Sequence, residues 1–183
     1  MFTVLQGLFL TIERKIKMAT DIGIDLGSSK TVIFSSSKVV LELPNVVTVA
    51  AESWEAVYFG EKAKQTIGRT PDSLLSVYPI EHGVIADYDL AELMLKNYMS
   101  QVFGNKILRP RIMATLPAGL TELQHRSLAN VVESAGGRNI TVIEGIDLVP
   151  HDTSLFSDKF LHPNDKGFDY YVNNLYKKLK ELI

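Results

Sequence analysis

The sequence predicts an α/β protein in which a mixed sheet is flanked by helices. Three observations support this fold class. Short apolar runs separated by turn residues fill positions 21–59, helical and strand-like patterns alternate from residue 89 to residue 143, and an amphipathic pattern closes the chain. Strands that first form a meander and then alternate with helices favour one sheet with antiparallel and parallel pairs. A chain of 183 residues can bury the core of one such domain.

Strands are predicted where β-branched and other apolar residues run between turns. Asp21–Leu26 reads as a strand and 31–34 as its returning partner, so the turn at 27–30 makes a hairpin. Further strands are expected at 39–43, 46–50, 56–59, 111–116 and 140–143.

Helices are predicted where apolar residues recur at helical spacing next to capping residues. A short helix over 61–67 ends at Gly68, a second begins at Asp89 and ends at Gly104, and a third follows Thr121 to Ala135. The apolar face of the second helix is expected to carry Leu90, Leu93, Met94, Tyr98 and Val102. The apolar face of the C-terminal amphipathic helix is expected to carry Phe168, Tyr171, Leu175, Leu179 and Leu182.

The composition excludes several classes of function. The chain has no cysteine, which excludes disulfides, thiolate metal sites and a cysteine nucleophile and fits a reducing, cytoplasmic location. The net charge of -2 gives no general attraction to nucleic acid, so we expect no nucleic-acid partner.

Residues 1–17 form an extension that has two interpretations. Residues 2–10 are mostly apolar and the charged run 13–17 follows them, which reverses the order of a secretory signal and is too short to span a bilayer. One interpretation is an amphipathic segment that lies on the membrane surface. The other, which we favour, is a translated leader before a true start at Met18.

The turn between the first two strands carries the most chemistry. Successive backbone N–H groups in a glycine-containing turn can form a concave anion site, and hydroxyl and ammonium groups can add donors. The predicted phosphate-binding residues are Gly27, Ser28, Ser29, Lys30 and Thr31. Asp25, at the end of the strand, is placed to hold a hydrated Mg²⁺ through water. The glycine spacing differs from that of the Walker and dinucleotide loops, and an ordinary hairpin turn has a similar composition, so the residues alone leave both interpretations open.

Residues 22–31 resemble the first phosphate motif of the superfamily that contains actin, sugar kinases and heat-shock chaperone ATPases. Three further stretches narrow the resemblance to MreB, the family of rod-shape-determining filament proteins: 60–64 with 68–71, then 79–87, then 110–113 with 116–122. Their order and spacing match as well, so the resemblance covers about residues 21–144. It implies the outer half of an actin-like (ribonuclease H-like) fold, here incomplete, whose members bind ATP and Mg²⁺ and polymerise beneath the membrane.

The sequence departs from the MreB pattern after Glu144. The resemblance calls for a second acidic residue that orients the attacking water, but Gly145 stands in its place, and the second phosphate loop and the adenosine pocket are not found. Because phosphoryl transfer needs positioning from both sides of a cleft, we expect a weak or incomplete ATP·Mg²⁺ site with poor or no hydrolysis. Self-association with other filament subunits is the partner that the resemblance implies.

The tail carries a second resemblance. Residues 146–150 and 161–168, followed by a terminal helix, resemble the end of an SGNH (GDSL-type) esterase, in which His162 would be the general base and Asp158 its displaced acidic partner. No Gly-Asp-Ser nucleophile motif is present, so the alternative function is a remnant ester hydrolase or a fusion product without a function. The predicted organisation is a chimera with an extension at 1–17, an actin-like N-terminal subdomain at 18–145 and an esterase-like tail at 146–183.

Overall fold

The structure is a computed structural model that describes residues 21–35, 38–69, 71–104, 110–116, 120–144, 148–159 and 163–181. The predicted extension at 1–17, Gly145 and His162 lie outside the described residues, as do the side chains of Glu144 and Leu179. Within these ranges the strands are β1 Asp21–Leu26, β2 Lys30–Ser35, β3 Lys38–Pro44, β4 Val47–Ala50, β5 Ala56–Phe59, β6 Leu74–Val77, β7 Ile80–Glu81, β8 Val84–Ile85, β9 Arg111–Leu116 and β10 Arg138–Glu144. The α-helices are α1 Glu61–Thr66, α2 Tyr88–Phe103, α3 Glu122–Ser134 and α4 Asp165–Glu181.

A five-stranded mixed sheet forms the centre of the described structure, in the order β10-β9-β1-β2-β3. Strands β1, β2 and β3 form an antiparallel meander, whereas β9 and β10 run parallel to β1. Strands β9 and β10 are joined through α3, which provides the crossover that a parallel pair needs. The predicted mixed α/β sheet is therefore confirmed.

The two faces of this sheet are covered differently, because successive side chains of a strand point to opposite sides. On one face Ile24, Ile33 and Ala114 join the main core with α2 and α3. On the other face Asp25 in β1 lies opposite Val32 in β2 and Thr115 in β9. Strand β1, which leads into the predicted phosphate-binding turn, thus contributes side chains alternately to the core and to the opposite face.

Helix α2 begins one residue before the predicted start and ends at Gly104, as predicted. Asp87 caps it, since its carboxylate accepts a hydrogen bond from the Leu90 amide at 2.9 Å. The prediction that Leu93 lies on the buried face is wrong, because its side chain is 44% exposed. The buried positions are Leu90, Ala91, Met94, Leu95, Tyr98 and Met99. Their centre is about 150° around the helix from Leu93, at 3.6 residues per turn.

Three short strands, β6, β7 and β8, were not indicated by the sequence. A three-stranded sheet has the order β5-β4-β6, and β7 pairs with β8 in a two-stranded hairpin. Strands β7 and β8 have only two residues each, which is too short to show a periodic pattern, and Leu75 in β6 is 43% exposed. These strands therefore depend on pairing with neighbours that are distant in sequence.

The tail packs on the sheet through α4. Leu175 is 3% exposed and forms a cluster with Ile143 and Leu148, against which Met113 and Tyr171 are partly buried. The Asn174 side-chain amide donates to the Leu148 carbonyl at 3.0 Å. The tail helix thus covers part of the sheet face opposite the main core.

The beginning of α4 is tightly packed. The Asn164 side chain accepts a hydrogen bond from the Gly167 amide at 3.1 Å, and a Cβ at Gly167 would lie 2.3 Å from the Leu155 carbonyl oxygen. Phe168, predicted on the apolar face, is 36% exposed.

None of the described helices combines the length and apolar character needed to cross a membrane.

Candidate phosphate-binding site

The candidate site is the turn that joins β1 to β2. The Gly27 amide donates to the Lys30 carbonyl at 3.1 Å and closes a turn whose two central residues are Ser28 and Ser29. A Cβ at Gly27 would lie 3.1 Å from the same carbonyl oxygen, so a larger residue would require this carbonyl to shift by a few tenths of an ångström. Neither serine has a positive φ.

The tip of the turn presents hydrogen-bond donors to solvent. Ser28 and Ser29 are exposed, and their main-chain amides donate to no acceptor within the part of the chain that the structure describes. Each residue also carries a hydroxyl group. Two adjacent amides with two hydroxyls form the donor set that an anion with several oxygens requires.

Asn45 holds the turn from beneath, although the sequence analysis did not identify it. It is fully buried, its side-chain amide donates to the Gly27 carbonyl at 2.5 Å, and its own carbonyl oxygen accepts from the Thr31 hydroxyl at 2.6 Å. Its backbone amide donates to the Ser29 carbonyl at 3.0 Å. In the sequence, 44–45 reads only as a separator between two strands, because proline and asparagine are common turn residues.

Two of the predicted phosphate ligands have other partners. Thr31 is completely buried and its hydroxyl is used by Asn45, so Thr31 lies below the turn rather than at its tip. The Lys30 ammonium pairs with the Glu42 carboxylate at 2.5 Å, and both side chains are nearly half exposed. The structure therefore brings Gly27, Ser28 and Ser29 together at the tip.

Asp25 lies at the end of β1 on the sheet face opposite the main core. It is half-buried, and one carboxylate oxygen accepts a hydrogen bond from the Thr115 hydroxyl at 3.1 Å. In α4, burial raises the pKa of Tyr171, and the negative charge of Asp25 raises that pKa further. The tail helix therefore places a neutral phenol near the predicted magnesium ligand.

Asp25 is the predicted magnesium ligand, and its half-buried carboxylate is the type of oxygen ligand that Mg²⁺ prefers. Among the described residues, no group of three or more histidine, aspartate or glutamate side chains gathers in one place. Mg²⁺ keeps several of its waters and needs few protein ligands, so Asp25 beside the candidate turn stays its predicted ligand.

The hairpin of β7 and β8 also contacts the turn. The Gly83 amide donates to the Ser28 hydroxyl oxygen at 2.8 Å. His82 and Gly83 both have positive φ, 51° and 78°, which is the backbone that turns the chain sharply towards Ser28. The sequence does not indicate this contact, because the two segments lie 55 residues apart.

The esterase-like residues cannot be brought together from the described structure. Asp158 is exposed and follows the short 3-10 turn Thr153–Leu155, and His162 is outside the described residues. The general base and its acidic partner thus stay a prediction.

Comparison with known proteins places the chain among bacterial actin-like proteins. The profile of the MreB/Mbl protein family matches residues 19–148. The chain is 34% identical over 133 residues to the cell shape-determining protein MreB of Escherichia coli K12, an alignment that takes in 69% of this chain and 38% of that protein. It is 32% identical over 128 residues to the cell shape-determining protein Mbl of Bacillus subtilis 168, with the same two shares.

Solved structures of similar fold also belong to MreB proteins. MreB5 of Spiroplasma citri bound to AMPPNP superposes with a TM-score of 0.65 and 25% identity over 73% of this chain and 40% of that one. Its ADP-bound structure gives 0.64 over 74% and 41%. The predicted actin-like fold is thereby confirmed, and the chain spans about two fifths of the length of these relatives. With more than half of its residues matched by the family profile, this chain belongs to the MreB/Mbl family.

Proposed function

We propose that this chain binds ATP with Mg²⁺ at the turn between β1 and β2, as the phosphate-binding part of an actin-like, cell-shape-determining protein. The observation that carries the proposal is the pair of exposed amides at Ser28 and Ser29, which donate to no acceptor among the described residues. Family membership supports it, and so does the presence of AMPPNP and ADP in the MreB5 structures of similar fold.

Each residue of the turn has a separate role in this proposal. Gly27 allows the chain to turn closely, and the amides and hydroxyls of Ser28 and Ser29 bind phosphate oxygens. Lys30 adds positive charge, which it shares with Glu42. Thr31 supports the turn through its buried hydroxyl.

Asp25 holds Mg²⁺ through water. When bound, the metal neutralises charge on the phosphates. The Thr115 hydroxyl keeps the Asp25 carboxylate in place beside the turn.

Hydrolysis by these 183 residues alone is proposed to be poor. One turn and one carboxylate can bind and orient phosphate, but rapid phosphoryl transfer also needs a positioned water and charge stabilisation from the other side of the nucleotide. Self-association into filaments and a cytoplasmic location complete the proposal, as the family resemblance implies. ATP turnover by the purified chain at roughly 1 s⁻¹ or more, the lower end of typical enzyme rates, would contradict the proposed poor hydrolysis.

The binding proposal is tested by separating the amide of Ser28 from its hydroxyl. Proline is common at the first central position of a turn, and Ser28 has no positive φ that would exclude it, so Ser28→Pro removes the N–H and the hydroxyl at a position where proline is compatible with a turn. Ser28→Ala removes only the hydroxyl. In titrations with ATP and Mg²⁺, we expect Ser28→Pro to bind at least about tenfold more weakly than Ser28→Ala, the value of one hydrogen bond to a charged group.

Ser53→Ala is the matched control, since Ser53 is an exposed serine in the turn between β4 and β5. It should bind as the wild type does. Equal binding by both Ser28 variants, or no saturable binding by the wild type, would refute the proposed site.

A further inference from the structure

The orientation of the candidate turn is controlled by one buried side chain. Asn45 makes three hydrogen bonds to it: to the carbonyls of Gly27 and Ser29 and from the Thr31 hydroxyl. The bonds to the Gly27 carbonyl and from the Thr31 hydroxyl are made by the side-chain NH₂ and carbonyl oxygen of Asn45, and the bond to the Ser29 carbonyl is made by its backbone amide. We propose that Asn45 is a positioning residue that holds the Ser28 amide in its anion-binding direction, an inference that rests on the proposed function.

The planar geometry of the peptide bond explains how Asn45 acts. In a trans peptide the C=O and the N–H point in opposite directions. Because the Gly27 carbonyl is held on buried Asn45, the N–H of the same peptide unit, which belongs to Ser28, must point away from the interior. Without that bond, the unit can rotate and present its carbonyl oxygen to the ligand, which would repel phosphate.

An amide is the side chain that suits this position. The site needs a donor towards the Gly27 carbonyl and an acceptor for the Thr31 hydroxyl on the same short planar group. Aspartate in its charged form offers only acceptors, and leucine of similar size offers neither. Asn45 therefore determines the direction of the turn through its chemistry as well as its size.

Asn45 is itself firmly held. The preceding carbonyl, that of Pro44, accepts hydrogen bonds from the Tyr98 phenol at 2.5 Å and from the Val46 amide at 3.0 Å. The Val46 carbonyl then accepts from the Gly60 amide at 3.0 Å. The turn is thereby tied to α2 and to the point where β3 passes into the smaller sheet.

The test uses Asn45→Asp, which keeps the shape but loses the donor. Backbone amide NMR of the ligand-free variant near pH 8 should show a displaced Ser28 resonance, and affinity for ATP with Mg²⁺ should fall at least about tenfold. At about pH 5 the buried carboxyl takes up a proton and can again donate to the Gly27 carbonyl. The Ser28 chemical shift, taken as a difference from the wild-type value at the same pH, and the affinity, taken as a ratio to the wild-type value at that pH, should then recover in part.

Asn97→Asp is the matched control, because Asn97 lies in α2 away from the turn and makes its hydrogen bond with Gln101. It should show neither effect. Lys30 and Glu42, which form an ion pair, and Tyr98, which donates to the carbonyl preceding Asn45, are also titratable, and the wild type contains them too, so comparison with the wild type at the same pH accounts for them.

The outcomes separate the two proposals. Wild-type resonance and affinity in folded Asn45→Asp, or a loss that does not recover at low pH, would overturn the positioning role and leave nucleotide binding intact. A displaced, pH-dependent Ser28 resonance in a chain whose wild type binds no ATP would support positioning and overturn the proposed function.

If Asn45→Asp does not fold, Thr31→Val and Thr31→Ser carry the test. Valine removes the hydroxyl that donates a hydrogen bond to the Asn45 side-chain oxygen, and serine retains it. A displaced Ser28 resonance and weaker ATP binding in Thr31→Val, both restored in Thr31→Ser, support the role. Wild-type behaviour in Thr31→Val overturns it.

Discussion

The packing of α4 on the sheet predicts that Leu175→Ala destabilises the whole protein. Leu175 is 3% exposed and packs against Ile143 and Leu148. Truncating a buried leucine to alanine costs roughly 2–5 kcal/mol, and the cost is smaller where neighbours can fill the cavity. This cluster is bordered by partly buried side chains, which can move, so we expect a loss of about 2–3 kcal/mol in the free energy of unfolding.

Urea denaturation followed by far-UV circular dichroism measures this loss. Leu93→Ala is the matched control: it makes the same substitution in the middle of a helix, but its side chain is 44% exposed, and we expect a change within about 0.5 kcal/mol. Fluorescence of Trp54, in the turn after β4, follows the part of the chain far from the tail in sequence. Coincident transitions would show that the tail and the sheets unfold together.

Two results would refute this reasoning. Equal destabilisation by Leu175→Ala and Leu93→Ala would mean that burial of Leu175 against Ile143 and Leu148 contributes nothing to stability. Loss of helical signal from Leu175→Ala at low urea, with the Trp54 transition unchanged, would mean that α4 detaches without affecting the sheets.

Three further predictions follow from hydrogen bonds and charges. Tyr98→Phe leaves the Pro44 carbonyl without its phenol donor and should cost about 1–2 kcal/mol in urea denaturation, whereas Tyr78→Phe, at a tyrosine that is 46% exposed, should cost nothing measurable. Asp87→Ala removes the cap of α2 and should cost about 1 kcal/mol; no loss would mean that the cap is dispensable. The raised pKa of Tyr171 means that the unfolded chain ionises first, so stability should fall as pH rises above the ordinary tyrosine value of 10.0. Asp25→Asn should lower the pKa of Tyr171, measured by ultraviolet titration of phenolate, with Tyr171→Phe used to identify the signal of Tyr171. An unchanged pKa would show that the charge of Asp25 does not act on Tyr171.

The sequence predicted the long elements well because their patterns repeat. Helix α3 shows this: Thr121 and Gln124 form a capping box, and Leu128, Val131 and Val132 recur on one face. The strands β6, β7 and β8 were missed because two to four residues contain at most two repeats of the two-residue strand period, whereas β4 and β5, of four residues each, were predicted from their β-branched and aromatic composition. Leu93 was misplaced because spacing alone does not show where the centre of a buried face lies.

The candidate site could be predicted only in part, for a related reason. The composition of the turn indicated Gly27, Ser28 and Ser29, since glycine and serine are the residues that such a turn uses. It could not show that Thr31 points inward, because that depends on Asn45, which lies 14 residues further along the chain. A local pattern thus finds the donors of a site but not the groups that orient them.

The placement of Asp25 joins the tail to the proposed site. Alternation along β1 puts Ile24 in the main core and therefore puts Asp25 on the opposite face, part of which α4 covers. Burial of that face lowers the local dielectric constant, which strengthens the attraction between the carboxylate and a hydrated cation. Tyr171 stays neutral there, because both burial and the charge of Asp25 oppose loss of its proton. A neutral phenol does not compete with the metal for Asp25 as a lysine would, so the tail helix can cover this face without neutralising the charge on which the proposed magnesium site depends.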